Sequence, residues 1–157
     1  MRLAVVVTLP LLACGSEKPG DGIGDAGPEY LGTEYALSYT GPVCWWADVL
    51  RMPSAPDAPA VFARKTWRDG QGWEESWTTM AETSWSPVPG GFRIEAFDTW
   101  EVALADPPTI AVRIGAFDVV PVGGFVAMMP ATLEDGFECD VTVYGTPCNG
   151  PCPIPPH

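Results

Sequence analysis

Four tryptophans, Trp67, Trp73, Trp77 and Trp85, fall within nineteen residues of a 157-residue chain that holds seven in all. Flat indole faces stack on sugar rings and also suit protein interfaces. Read as a strand, "WEESW" sets Trp73 and Trp77 on one face with Glu75 between them, a platform with a carboxylate for hydroxyl contacts. The opposing reading is core bulk, or cross-strand aromatic pairs that stabilise a hairpin. Other chemistry is scarce. His157 is the sole histidine and the final residue, which removes Ser-His-Asp and Cys-His systems and most zinc hydrolase sites. Two carboxylates can hydrolyse a glycoside. Asp98 and Asp118 hold matching places in a short repeat, but Asp after an aromatic at a strand's end is commonly turn chemistry. The glycine pairs at 90–91 and 123–124 lack the helix and lysine of a phosphate loop, and "DGIGDAG" lacks the closing Glu of a calcium loop. No catalytic residue, metal or cofactor is expected.

The cysteines are more telling. Cys14 stands apart, and Cys44, Cys139, Cys148 and Cys152 make an even set, which in an exported chain reads as two disulfides with three possible pairings. A four-thiolate zinc site lacks the paired C-x-x-C spacing it would need. Cys139 falls on the apolar face of "FECDVTVY", with Phe137, Val141 and Val143, so it is expected to meet Cys44 beside Trp45 and Trp46. Cys148 and Cys152 then close a small clip through "CNGPC", which has one residue too many for a thioredoxin-like pair and is followed by prolines rather than a helix.

Export is argued from the first fourteen residues. Arg2 precedes an apolar stretch from Leu3 to Ala13, too short for a transmembrane helix and of signal-peptide length. Leu11-Leu12-Ala13-Cys14 resembles the lipobox of the bacterial lipoproteins. That resemblance covers residues 1–14 only. It implies cleavage before Cys14, acylation of its sulfur and amino group (palmitate among the chains), and, through Gly15, sorting to the outer membrane where the host has one. Several acyl chains hold a protein stably on a membrane, whereas one does so marginally. Residues 15–29, rich in Gly and charge and without an aromatic, read as a flexible tether.

Loss of residues 1–13 leaves 7 Lys+Arg against 20 Asp+Glu, a net charge of −13, which argues against nucleic acid and against electrostatic binding to anionic lipid. The rest of the chain alternates with period two. Tyr35, Leu37 and Tyr39 share a face, as do Phe92, Ile94 and Ala96, and Ile110, Val112, Ile114 and Ala116. Turn formers separate these runs. Residues 57–67 are either a helix capped by Asp57 or the first arm of a hairpin running through "RDGQG" to "WEESWTT", and the hairpin is favoured. "RIEAFDTWEV" (93–102) and "RIGAFDVVPV" (113–122) share six of ten letters, through equivalent strand-and-corner units or through convergent strand composition.

The expectation is an all-β protein: signal peptide 1–13, lipidated Cys14 and linker 14–29, one disulfide-bonded β-sandwich (alternatively a barrel) over 30–146, and a Cys/Pro-rich tail 147–157. Its expected role is a lipid-anchored cell-envelope protein with a binding or structural domain, recognising a glycan or a protein through Trp67, Trp73, Glu75, Trp77 and Trp85. The alternatives are a carboxylate-based hydrolase of envelope polymers and an inhibitor of extracellular hydrolases.

Overall fold

The computed structural model describes residues 28–41, 43–68, 74–102 and 109–152, without the side chains of 66–68, 74–76, 101, 102 and 109. Eleven strands and no helix make up these residues. The strands are β1 (Glu34–Thr40), β2 (Val49–Arg51), β3 (Ala60–Arg68), β4 (Glu74–Thr83), β5 (Trp85–Val88), β6 (Gly91–Ile94), β7 (Phe97–Val102), β8 (Thr109–Ile114), β9 (Phe117–Val119), β10 (Phe125–Leu133) and β11 (Glu138–Pro147). They form two antiparallel sheets. The larger has eight strands in the order β4-β3-β2-β1-β11-β10-β8-β7, and the smaller has three in the order β5-β6-β9. The larger sheet curls until its two end strands approach, where the buried Thr99 hydroxyl on β7 donates to the Met80 carbonyl on β4 at 3.2 Å.

Residues 57–67 thus divide between a turn and strand β3, which pairs with β4 from Ala60↔Thr83 to Arg68↔Glu74. The hairpin won over the helix because β3 is rich in residues suited to a pleated surface and finds partners on both sides, in β2 and β4. The connection between the two strands, residues 69–73, lies outside the described residues.

The core forms where aromatic rings from distant strands meet. Trp45, wholly buried, packs edge-on against Phe62 of β3 and Phe97 of β7, with centroids at 5.6 and 5.7 Å, and the two phenyl rings stack at 5.3 Å. This cluster ties opposite ends of the larger sheet together. Phe92 of β6 brings the smaller sheet onto it, meeting Tyr30 at 5.1 Å and Tyr35 of β1 at 6.5 Å, and Tyr35 in turn meets Phe125 of β10 at 5.2 Å. Phe125 lies opposite Gly145, where a β-carbon would sit 2.0 Å from the ring, so only glycine admits the phenyl there.

Cys44 is bonded to Cys139, and Cys148 to Cys152, the pairing anticipated from the strand faces. The first bridge pins the 41–48 loop to the start of β11. Two disulfides fit an oxidising compartment and hence export.

Alternation is correct within strands and fails at their ends. Phe137 is exposed, because it sits at the tip of the β10–β11 hairpin rather than in the strand body. Ala96 is exposed and Ala116 half-buried, while Phe97 and Phe117 take the inward places. The reason is a corner. The pairs Phe92↔Val119, Arg93↔Asp118 and Ile94↔Phe117 in the smaller sheet continue in the same register as Phe97↔Ile114 and Asp98↔Arg113 in the larger one. The two repeat segments are therefore the two arms of one antiparallel ribbon, bent between sheets at Glu95-Ala96 and Gly115-Ala116. Two consecutive outward residues at each bend shift the phase by one, as happens where strands switch sheets.

Candidate functional site

The Trp-rich segment is not gathered on one surface. Trp77, half-buried, packs against the cluster of Val49, Ala63 and Cys152 on the outside of the larger sheet, beside the Cys148–Cys152 clip. The Arg51 guanidinium lies 5.2 Å from its ring centre. Arg51 Nε forms an ion pair with Glu34 Oε1 at 2.9 Å, and Glu34 Oε2 accepts the Cys152 N–H at 2.8 Å, so one carboxylate engages both the arginine and the clip. Trp85 instead joins the main core, edge-on to Tyr30 at 5.8 Å, and its indole N–H donates to the Ala58 carbonyl at 2.9 Å. The backbones of Trp67 and Glu75 face each other across β3 and β4. Their side chains, and the whole of Trp73, lie outside the described residues, as do Cys14 and His157.

Asp98 and Asp118 are not an acid–base pair. Arg113 Nη1 bonds to Asp98 Oδ1 at 2.9 Å on the larger sheet, and Arg93 Nη1 to Asp118 Oδ1 at 2.8 Å on the smaller one. The repeat is thus self-complementary: each arm's arginine meets the other arm's aspartate. Both carboxylates are open to water, whereas a general acid needs a dry setting.

A second polar cluster surrounds the 41–48 loop. The Tyr39 hydroxyl donates to the Ala47 carbonyl at 2.9 Å and accepts the Ala47 N–H at 3.0 Å. Burial pushes its ionisation well above the ordinary phenol range; the Ala47 bond opposes that, as does Arg64, while Asp48 adds to it. Arg64, buried on β3, donates to the Trp46 carbonyl and holds its guanidinium 3.6 Å from the Trp46 ring centre. Asp48 Oδ2 accepts the Lys65 N–H at 2.6 Å. These contacts are directed inward at backbone and ring, and they fix the loop.

The outward face of β7, β8 and β10 is different in kind. Register sets two rows across it. Asp98, Arg113 and Thr132 form one, and Trp100, Ala111 and Glu134 the other, with the Glu134 N–H donating to the Ala111 carbonyl at 3.0 Å. Trp100 is 56% exposed, and the residue opposite it on β8 is only an alanine. The face borders a shallow cavity of about 460 Å³ lined by Asp98, Ala111, Arg113, Thr132, Glu134 and Gly136 among others. A cavity of about 500 Å³ between Tyr30, Pro87 and Pro121 is similar in size but is built mainly of proline, glycine and valine, with Glu29 its one charged group. Ligand sites combine apolar and aromatic surface with a few convergent polar groups, and of these two cavities only the one beside β7, β8 and β10 has several polar side chains.

Trp100 lies outside the Trp-dense 67–85 segment, so composition alone does not single it out. Its signal was the alternation of β7: with Phe97 and Thr99 inward, Asp98 and Trp100 must point out together. No group of three or more His, Cys, Asp or Glu able to hold a metal occurs among the described residues. No protein-family model, curated protein or solved structure matches the chain.

Proposed function

We propose that the chain is a lipid-anchored envelope protein whose β domain, read as a sandwich with one strongly curled sheet, holds a ligand rather than transforming it. The observation that carries the anchor is Leu11-Leu12-Ala13-Cys14 at the close of a signal-length apolar run, followed at once by a Gly-rich acidic tether. The two disulfides agree with it. The hydrolase alternative loses its best carboxylate pair, since Asp98 and Asp118 stand on different sheets, each engaged by an arginine. The inhibitor alternative needs a projecting loop, and the 148–152 clip instead lies on the sheet with Cys152 buried.

Intact-mass analysis of natively produced protein tests the anchor. The expected species begins at Cys14 and carries fatty acyl chains, and Cys14→Ser moves the protein from the membrane to the soluble fraction. A species that still carries Met1, or one that begins at residue 14 without acylation, overturns the proposal.

A further inference from the structure

We propose that the outward face of β7, β8 and β10 is a binding site for an uncharged saccharide, with a sugar ring stacked on the Trp100 indole. This rests on the binding-module reading above and names the site and its ligand class. Exposure alone would not carry it, because single exposed apolar side chains are ordinary. What sets Trp100 apart is its company. Trp45, Trp46, Trp77 and Trp85 each have an aromatic, cationic or hydrogen-bond partner. Among the described residues Trp100 has none, and it stands one outward position along the strand from Asp98, roughly 7 Å away at the usual strand rise.

A pyranose is amphipathic: one face of C–H groups and a rim of hydroxyls that both donate and accept. An indole accepts the first. The second needs acceptors and donors held side by side, and the Asp98–Arg113 pair supplies both. Their mutual bond at 2.9 Å sets the two groups side by side, while 75% and 64% exposure leaves the remaining carboxylate and guanidinium positions open. Thr132 extends the row by one hydroxyl, roughly 10 Å from Asp98 at the usual strand spacing. One negative and one positive group cancel across this row, and Glu134 adds a negative charge beside it, so the face does not recruit anions. Beside the indole, a shallow cavity of about 460 Å³ that Asp98, Arg113, Thr132 and Glu134 line, and Trp100 does not, leaves room for the hydroxyl rim or for a neighbouring sugar unit. A protein partner would call for a contiguous apolar centre, whereas the outward neighbours of Trp100 in these two rows are Asp98, Ala111, Arg113 and Glu134, and the exposed Val126 and Met128 lie farther along β10.

The test uses the detergent-solubilised full chain titrated with oligosaccharides of chitin, cellulose, xylan and amylose, followed by calorimetry and tryptophan emission. At least one series is expected to bind with a dissociation constant near or below about 1 mM. Trp100→Ala is expected to weaken that binding by about tenfold or more, and Arg113→Ala to weaken it as well, with the unfolding midpoint of each variant unchanged. Trp77→Phe is expected to leave it as it was. Absence of binding for every series to about 10 mM, or equal binding by Trp100→Ala, overturns the site. So does a photocrosslinker placed at position 100 in intact cells that captures protein and no glycan. Because binding is read in solution, failure here leaves the acylation of Cys14 to be judged separately by mass.

Discussion

Tyr39 shows how one hydroxyl can hold a loop. It satisfies both backbone groups of Ala47 at once, in a partly buried setting. Tyr39→Phe leaves that donor and that acceptor unpaired, and about 1–3 kcal/mol of stability is expected to be lost, read from denaturant midpoints. The pH dependence has a definite sign. The folded phenol ionises above its ordinary value of 10.0, so folding favours the protonated form. The stabilisation is fully present below that value and is lost as pH rises from there towards the folded-state value. Wild-type stability is expected to fall above pH 10 more steeply than that of Tyr39→Phe; parallel curves would refute this. The residue scale was also where the sequence misled. The density of tryptophan in 67–85 suggested a surface, yet Trp77 and Trp85 are drawn to different apolar clusters, one beside the clip and one in the core. Crowding along a chain says little about crowding in space when successive strands enter different sheets.

The bent ribbon is the element whose sequence and structure explain one another most fully. In "RIEAFD" and "RIGAFD", Ile94, Phe97, Ile114 and Phe117 are buried, and the arginines and aspartates pair crosswise outside. The single mismatch within these six letters has a packing cause. A β-carbon on Gly115 would lie 2.9 Å from Pro130 Cγ, and Gly115 N–H already donates to the Pro130 carbonyl at 2.8 Å. Glu95, at the equivalent place, is unobstructed and accepts a bond from Ser86 Oγ at 3.1 Å. Gly115→Ala is therefore expected to destabilise the protein by about 1–3 kcal/mol through overpacking, whereas Glu95→Ala changes it by less than about 1 kcal/mol. Thermal unfolding of both variants checks the asymmetry. The strands and the repeat were legible because period two and shared letters are local signals. The corner was not, since a one-residue phase slip looks like noise until the partner arm shows the same slip at the same place.

At the scale of the whole molecule, the two disulfides carry unequal weight. Cys44–Cys139 closes a loop spanning 95 positions and is expected to contribute about 4.7 kcal/mol by chain entropy, whereas Cys148–Cys152, spanning 4, contributes about 2. Replacing both cysteines of the first bridge by serine should leave the domain marginal. The same change at the clip should keep it folded while Trp77 becomes more exposed, seen as a red shift in emission. The all-β class and both bridges could be read from cysteine count and alternation. The sheet order could not, because pairing β1 with β11 depends on contacts across most of the chain.

The fastening of Thr99 to Met80 has a further consequence. The strand order of the larger sheet ends at β4 and β7, and a hydroxyl, rather than a backbone ladder, is what bonds one to the other. The molecule resembles a cuff closed by a button. Its amide protons should exchange with deuterium soonest along those two margins and slowest around β1 and β11, and Thr99→Val should widen the difference, loosening the cuff well before the sleeve unravels.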